Sequence, residues 1–241
     1  MKKGFLALIA ILIIVYFNNA SWLRPIPDSQ LRLLAHRGVH QHYSKDQLSR
    51  QDCTATRIDP PVHAYLENTM ESIREAFSLG AHTVEIDIHP TTDNRFVVFH
   101  NWTLDCRTQA KGVTRKHTLD YLKSLDIGYG YTHDGGKTFP FRGKGIGKMP
   151  SLSEVLDTFS EQRFLINIKS KDPNEVTLIN QYLKTRSNDN LSRLSFYGNR
   201  TDITPLLATN PEIKGFNKAS IKKCVKAVSY THLTLPTTPY V

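Results

Sequence analysis

Apolar and polar residues alternate from Val84 to His89, with Val84, Ile86 and Ile88 set against Glu85, Asp87 and His89. A period of two marks a strand. It sends Glu85 and Asp87 off one face, about 6–7 Å apart at their Cα atoms. The turn Thr91-Thr92-Asp93-Asn94 leads into a second apolar run, Phe96 to Phe99, that ends on His100. Similar short apolar runs place strands at 33–38, 163–169, 192–197 and 213–216, besides 83–88 and 96–100. Helical spacing separates them. Ile73, Ala76 and Phe77 precede a glycine stop at Gly80 and follow an N-cap at Asn68 or Thr69. Further helical pieces are expected over 118–125, 173–185 and 202–208, and from Ser151, which with Glu154 makes a capping box. Strands alternating with helices predict an α/β domain built on a parallel sheet.

Two polar excursions interrupt the pattern. Residues 39–63 have no period and suit a lid or a specificity loop above the end of the first strand. Residues 128–147 are rich in glycine, with aromatic and basic side chains between. Such a loop suits a small polar anion, and equally an ordered surface excursion.

The ends of the chain read differently from its middle. Lys2 and Lys3 precede an apolar run from Phe5 to Phe17, then Asn18, Asn19 and Ala20. Residues 1–20 are therefore expected to be a signal peptide or a retained signal-anchor, although the run is shorter than the ~20 residues of a full span. The expectation is export to the periplasmic or extracellular side, with a linker at 21–32 and a membrane partner wherever the segment stays uncleaved. Export permits disulfides. Cys53 and Cys106 could pair and leave Cys224 odd, but three cysteines do not fix a connectivity. Residues 228–241, VSYTHLTLPTTPYV, carry no charge and no period, and look like a translated sequencing adapter. The domain is thus expected at 33–227. Composition changes little: 39% hydrophobic and 22% charged residues are ordinary for a globular chain. The net charge of +9 invites nucleic acid as a partner, but the basic residues are scattered and no nucleic-acid motif accompanies them. A basic surface also suits phosphate-bearing substrates or anionic lipid.

The polar positions on the strands carry the candidate chemistry. Glu85 and Asp87 repel one another unless a positive charge lies between them. A hard divalent cation, Ca²⁺ or Mg²⁺, takes such oxygen ligands. The plainer reading is two solvated acids on an edge strand beside a stray histidine. His36-Arg37-Gly38 follows the first strand, where parallel sheets place functional groups. Glu67 precedes a helix, either as a favourable anion at its dipole or as a third carboxylate for the cation. Asn167 and Lys169 share one face of their strand.

Taken in order, HRG at 36–38, ENT at 67–69, EID at 85–87, FH at 99–100, PSLSEVL at 150–156 and IK at 168–169 resemble the glycerophosphodiester phosphodiesterase family. The resemblance covers roughly 33–220. It implies a TIM (β/α)8 barrel, incomplete here, with about six strands and the last two βα units missing. It implies His36 and His100 as general acid and base, and Glu85 and Asp87 as ligands of one divalent cation. Glu67 matches a carboxylate of the site. Asn167 stands where the family usually has a further metal-binding Glu, so its uncharged oxygen is expected to weaken the cation's hold. Arg37 and Lys169 match groups that hold the phosphate. The implied reaction releases glycerol 3-phosphate from a small glycerophosphodiester, with water or the substrate's own hydroxyl as attacker. The alternatives are a phospholipase-type relative acting on intact lipids and a non-catalytic barrel that binds a phosphate ligand or a partner.

Overall fold

A computed structural model describes residues 2–18, 32–49, 52–170 and 172–231. Residues 32–217 form one compact unit. Its strands are β1 (Leu34–His36), β2 (Thr83–Pro90), β3 (Phe96–Val98), β4 (Phe164–Ile168), β5 (Leu194–Gly198) and β6 (Lys214–Asn217). Helices α2 (Met70–Ser78), α3 (Leu119–Ser124), α4 (Leu152–Thr158), α5 (Pro173–Leu183), α6 (Asn188–Ser192) and α7 (Arg200–Thr209) lie between them in sequence. The second unit contributes α1 (Lys2–Asn18) and α8 (Lys218–Thr231). The compact unit thus ends ten residues before the expected boundary at 227, and the expected tail begins inside α8. Most of the expected linker and residues 232–241 lie outside the described residues.

Helix α1 has 17 residues, and among the described residues no helix is long and apolar enough to cross a membrane. The expected membrane anchor therefore has no spanning helix to support it there.

The sheet runs β1-β2-β4-β5-β6, with every neighbour on that path parallel. Among the described residues it is open, with six strands. The run 96–100 is expected from the sequence as one more barrel strand, and here the structure differs. β3 pairs antiparallel with β2 and lies off the path. A parallel return needs a crossover of a dozen or more residues, and only residues 91–95 separate β2 from β3. Thr91 instead closes a tight turn by donating its backbone N–H to the Arg95 carbonyl at 2.9 Å, with Asn94 at φ 58°.

β2 is the central strand of this site. Val84, Ile86 and Ile88 are fully buried on one face, and Glu85, Asp87 and His89 are almost equally buried on the other. The edge-strand reading of the two acids therefore fails. The apolar face packs with Ile73 and Ala76 of α2, Val155 of α4, Ile166 of β4 and Phe196 of β5 in one core. A second core, including Val97, Phe99, Leu104, Leu122 and Met149, lies under the long excursion after β3. That excursion is stapled by a Cys53–Cys106 disulfide spanning 53 residues. On the chain-entropy account, closing a loop of that length stabilises the fold by about 4 kcal/mol.

The glycine-rich loop fills its own anion sites. Asp126 accepts from the backbone N–H groups of Gly128, Gly143 and Gly145, and Asp134 from those of Lys137 and Thr138. The amides that could have cradled a ligand are bound to carboxylates of the same loop.

Candidate active site

Parallel register aligns the C-terminal ends of the strands. His36 lies beside Glu85, Asp87 beside Asn167, and Asn167 beside Tyr197. His36-Arg37-Gly38 leaves β1 through two left-handed residues, Arg37 at φ 63° and Gly38 at φ 74°. A Cβ on Gly38 would come within 2.3 Å of Ser72 Oγ and 2.9 Å of the Ser72 backbone. Glycine is therefore required where this turn meets α2. A left-handed Arg37 costs on the order of 1–3 kcal/mol, and neighbouring bonds hold it there. Its N–H donates to the Glu85 carbonyl at 2.9 Å, and its own carbonyl accepts from the Asn68 N–H at 2.9 Å and the Ser72 hydroxyl at 3.2 Å.

The Glu67-Asn68-Thr69 segment divides three tasks. Thr69 caps α2, its hydroxyl accepting from the Ser72 N–H. Asn68, also left-handed at φ 59°, donates its side-chain amide to Asp87 Oδ2 at 3.3 Å and accepts from the Asp87 N–H at 3.4 Å. Glu67 is gripped by two arginines, with Oε1 accepting from Arg37 at 3.2 Å and Oε2 from Arg107 at 2.9 Å. Both its oxygens are thus committed to guanidinium groups.

Asp87 sits at the centre of a cationic cluster. Lys169 Nζ lies 2.8 Å from Oδ1, Arg37 Nε lies 3.3 Å from Oδ2, and the Asn167 amide donates to Oδ1 at 2.8 Å. Burial alone would raise its pKa, but Lys169, His100 and Arg37 outweigh burial and hold the carboxyl far below its ordinary value. Glu85 goes the other way. Burial and the Asp87 charge raise it, although Tyr197 donates to its Oε1 at 2.6 Å. Its other oxygen, Oε2, is buried without a hydrogen-bond partner, and His36 Nε2 stands 3.8 Å away.

The two histidines flank this cluster. The charges of Asp87, Arg37 and Glu67 act on both imidazoles, so residues 64 positions apart lie within electrostatic reach of the same groups. Burial is the main cause that lowers both. The His36 side chain is 51% exposed, so water still reaches it. His100 is deeper, and the pKa values of both fall to about 4. Its Nδ1 lies 3.2 Å from Asn101 Oδ1.

Seven of the eight expected site residues meet around Asp87 and Glu85: His36, Arg37, Asn167 and Lys169, the two acids themselves, and His100. The expected four-residue metal set does not form. Glu67 is taken by its arginines, and Asn167 turns its N–H₂ toward Asp87. Among the described residues no three His, Cys, Asp or Glu side chains are grouped to hold a metal ion. Both Asp87 oxygens are met by Lys169, Asn167, Arg37 and Asn68, so the orphaned, buried Glu85 Oε2 is the position a hard cation fits, and Asp87 would join it only by exchanging a partner. Sequence reasoning missed Arg107 and Tyr197. Tyr197 could have been found from the alternation of β5, which sets it in one row with Asn167 and Asp87.

Glu67 gives the site a measurable acid signature. Burial would raise it, but Arg107 and Arg37 prevail and lower it from 4.5 to about 2. A depressed carboxyl stabilises the fold above its unfolded pKa, and that stability is lost as pH falls through the folded value. We expect about 3 kcal/mol to disappear between pH 4.5 and pH 2. Urea titrations across that window should show the loss in the wild type and a shallower one in Glu67→Gln. Equal slopes would remove Glu67 as the cause.

The sequence model of the "Glycerophosphoryl diester phosphodiesterase family" matches residues 36–232. A glycerophosphodiester phosphodiesterase from Caldanaerobacter subterraneus subsp. tengcongensis is 36% identical over 105 residues, which cover 44% of this chain and 40% of the relative. Another from Bacillus subtilis is 34% identical over 134 residues, covering 54% and 44%. The chain spans less than half the length of these curated relatives. In fold it is similar to the glycerophosphoryl diester phosphodiesterase domain of a Mycobacterium tuberculosis protein, with a TM-score of 0.62 at 16% identity over 83% of this chain and 65% of that one. It is also similar to an Oleispira antarctica phosphodiesterase solved with the product sn-glycerol 3-phosphate, at TM-score 0.57 and 21% identity over 83% and 72%. These neighbours are TIM barrels, and the open parallel sheet described above is that α/β fold.

Proposed function

From a chain that belongs to the glycerophosphoryl diester phosphodiesterase family, we propose metal-assisted hydrolysis of a glycerophosphodiester to sn-glycerol 3-phosphate and an alcohol. The observation that carries this reading is the pair of histidines set about one cluster of Arg37, Lys169, Asp87 and Glu85. Binding alone has no need of two proton-transfer groups in such a place.

The residues divide the work by charge and exposure. Arg37 and Lys169 offer fixed positive charge to the phosphoryl oxygens, where charge builds in the transition state. His100, kept neutral by burial, takes the proton of the attacking oxygen. His36, half exposed and open to water, gives a proton to the leaving alkoxide, the charges of Asp87 and Glu67 favouring its imidazolium against burial and Arg37. Glu85 and Asp87 would hold a divalent cation, which supplies Lewis-acid stabilisation of the phosphoryl group. Two carboxylates suit Mg²⁺, which keeps most of its waters, better than Ca²⁺, which takes six to eight oxygens. The Cys53–Cys106 bridge supports an exported protein, because disulfides persist in oxidising compartments.

The test is release of sn-glycerol 3-phosphate from glycerophosphocholine by the 241-residue protein, with and without a chelator. Release that falls on chelation and returns with Mg²⁺ is expected. No release with the cation supplied would end the hydrolase reading, and release from a lysophospholipid alone would move it to intact lipids.

A further inference from the structure

We propose that Arg107 is a positioning residue that selects the working tautomer of His100 and at the same time aligns Arg37, an inference that rests on the hydrolase reading above. Arg107 is among the largest fully buried side chains of the protein, at 2% exposure. A guanidinium so deep needs partners, and these are specific. Its Nε donates to Asn101 Oδ1 at 3.0 Å. Its Nη2 donates to Glu67 Oε2 at 2.9 Å and to Thr54 Oγ1 at 2.8 Å. Its plane lies near the Tyr131 ring, 5.2 Å from guanidinium carbon to centroid.

One arm reaches the general base. Guanidinium N–H groups only donate, so the atom of Asn101 facing Arg107 is the amide oxygen. That same oxygen is 3.2 Å from His100 Nδ1. An oxygen can only accept, so Nδ1 carries the hydrogen of the neutral ring. The lone pair is thereby left on Nε2, free to take a proton. Without Arg107, Asn101 could turn its N–H₂ toward the ring and favour the other tautomer, with Nε2 protonated and useless as a base.

The other arm reaches the phosphate-binding side. Glu67 bridges Arg107 to Arg37, one oxygen to each. With Arg107 removed, the buried carboxylate keeps Arg37 as its sole guanidinium partner. Arg37 is then drawn more strongly toward Glu67 and away from phosphate. Both arms are braced at the backbone: Arg107 follows Cys106, Thr54 follows Cys53, and the disulfide joins the two.

Arg107→Met keeps the bulk of the side chain and removes every donor. The expected result on the full chain is a fall in kcat of about tenfold or more, a raised KM, and transfer of His100 signal toward the Nε2–H tautomer in NMR of the imidazole nitrogens. Asn101→Ala should reproduce the kcat and tautomer changes with KM unmoved. Glu67→Gln should raise KM with the tautomer unmoved. A folded Arg107→Met protein with His100 still in the Nδ1–H form and kcat within about twofold of wild type would overturn the proposal, as would lost stability with no tautomer change. Should Arg107→Met not fold, Asn101→Ala decides the histidine arm by the same two measurements, kcat and tautomer. A wild type that hydrolyses no glycerophosphodiester would sink the hydrolase reading, while the tautomer readout still decides the Arg107 inference.

Discussion

Replacing either histidine by alanine is expected to lower turnover by about 10²–10⁴-fold, the usual worth of a positioned proton-transfer group. The two losses should differ in kind. If His36 protonates the leaving alkoxide, a substrate whose leaving group is already a weak base needs little help. The deficit of His36→Ala should therefore shrink sharply on a nitrophenyl phosphodiester. The deficit of His100→Ala should not, because the attacking oxygen must still lose its proton. The pH profile follows the same division. Burial holds His100 near pKa 4, so it is unprotonated and competent above that value, and kcat/KM should fall as pH drops through it. His100→Ala should erase that acid limb. Equal deficits on both substrates for both variants would show that the histidines do not split the acid and base roles.

The legible part of the site was the part written in strand period. Glu85 and Asp87 share a face because β2 alternates, and His36, Asn167 and Lys169 are placed at strand ends by the same rule. Reach across the sheet was not legible. Nothing in the spacing of Tyr197, 112 positions from Glu85, says that its hydroxyl will meet that carboxylate. Arg107 is similar, since a lone arginine after a cysteine reads as a surface residue until the fold buries it. Glu67 was open to two readings, an anion at the helix dipole or a third carboxylate for the cation, and its pairing with two guanidinium groups was in neither. The antiparallel β3 is announced by the shortness of its turn, a stronger signal than the count of strands that argues for another barrel strand. The glycine-rich loop was open to two readings, and its aspartates, by taking five of its backbone amides, favour the ordered excursion.

Asp87→Ala should be the most damaging single change to stability, by about 3–5 kcal/mol, the cost of stripping a buried ion pair of one partner. Asp87 is 1% exposed and receives Lys169, Arg37, Asn167 and Asn68. Its loss leaves two cations facing one another over a carboxyl, Glu85, that burial has already driven toward its neutral form. Glu85 cannot replace it without ionising. Because Asp87 is itself one cause of the raised Glu85 pKa, its removal also makes that ionisation easier, so part of the penalty should be recovered at alkaline pH. Asp87→Asn separates shape from charge. It keeps an oxygen for Lys169 and Asn167, which share Oδ1, but sets donors against Asn68 and Arg37 at the Oδ2 position, so stability should fall less while activity falls as far as in Asp87→Ala. Urea midpoints at neutral and alkaline pH, read beside sn-glycerol 3-phosphate release, check both halves. A midpoint for Asp87→Ala equal to wild type would mean that the cations are held by the fold rather than by this carboxylate, and the electrostatic account of the site would fail at its centre.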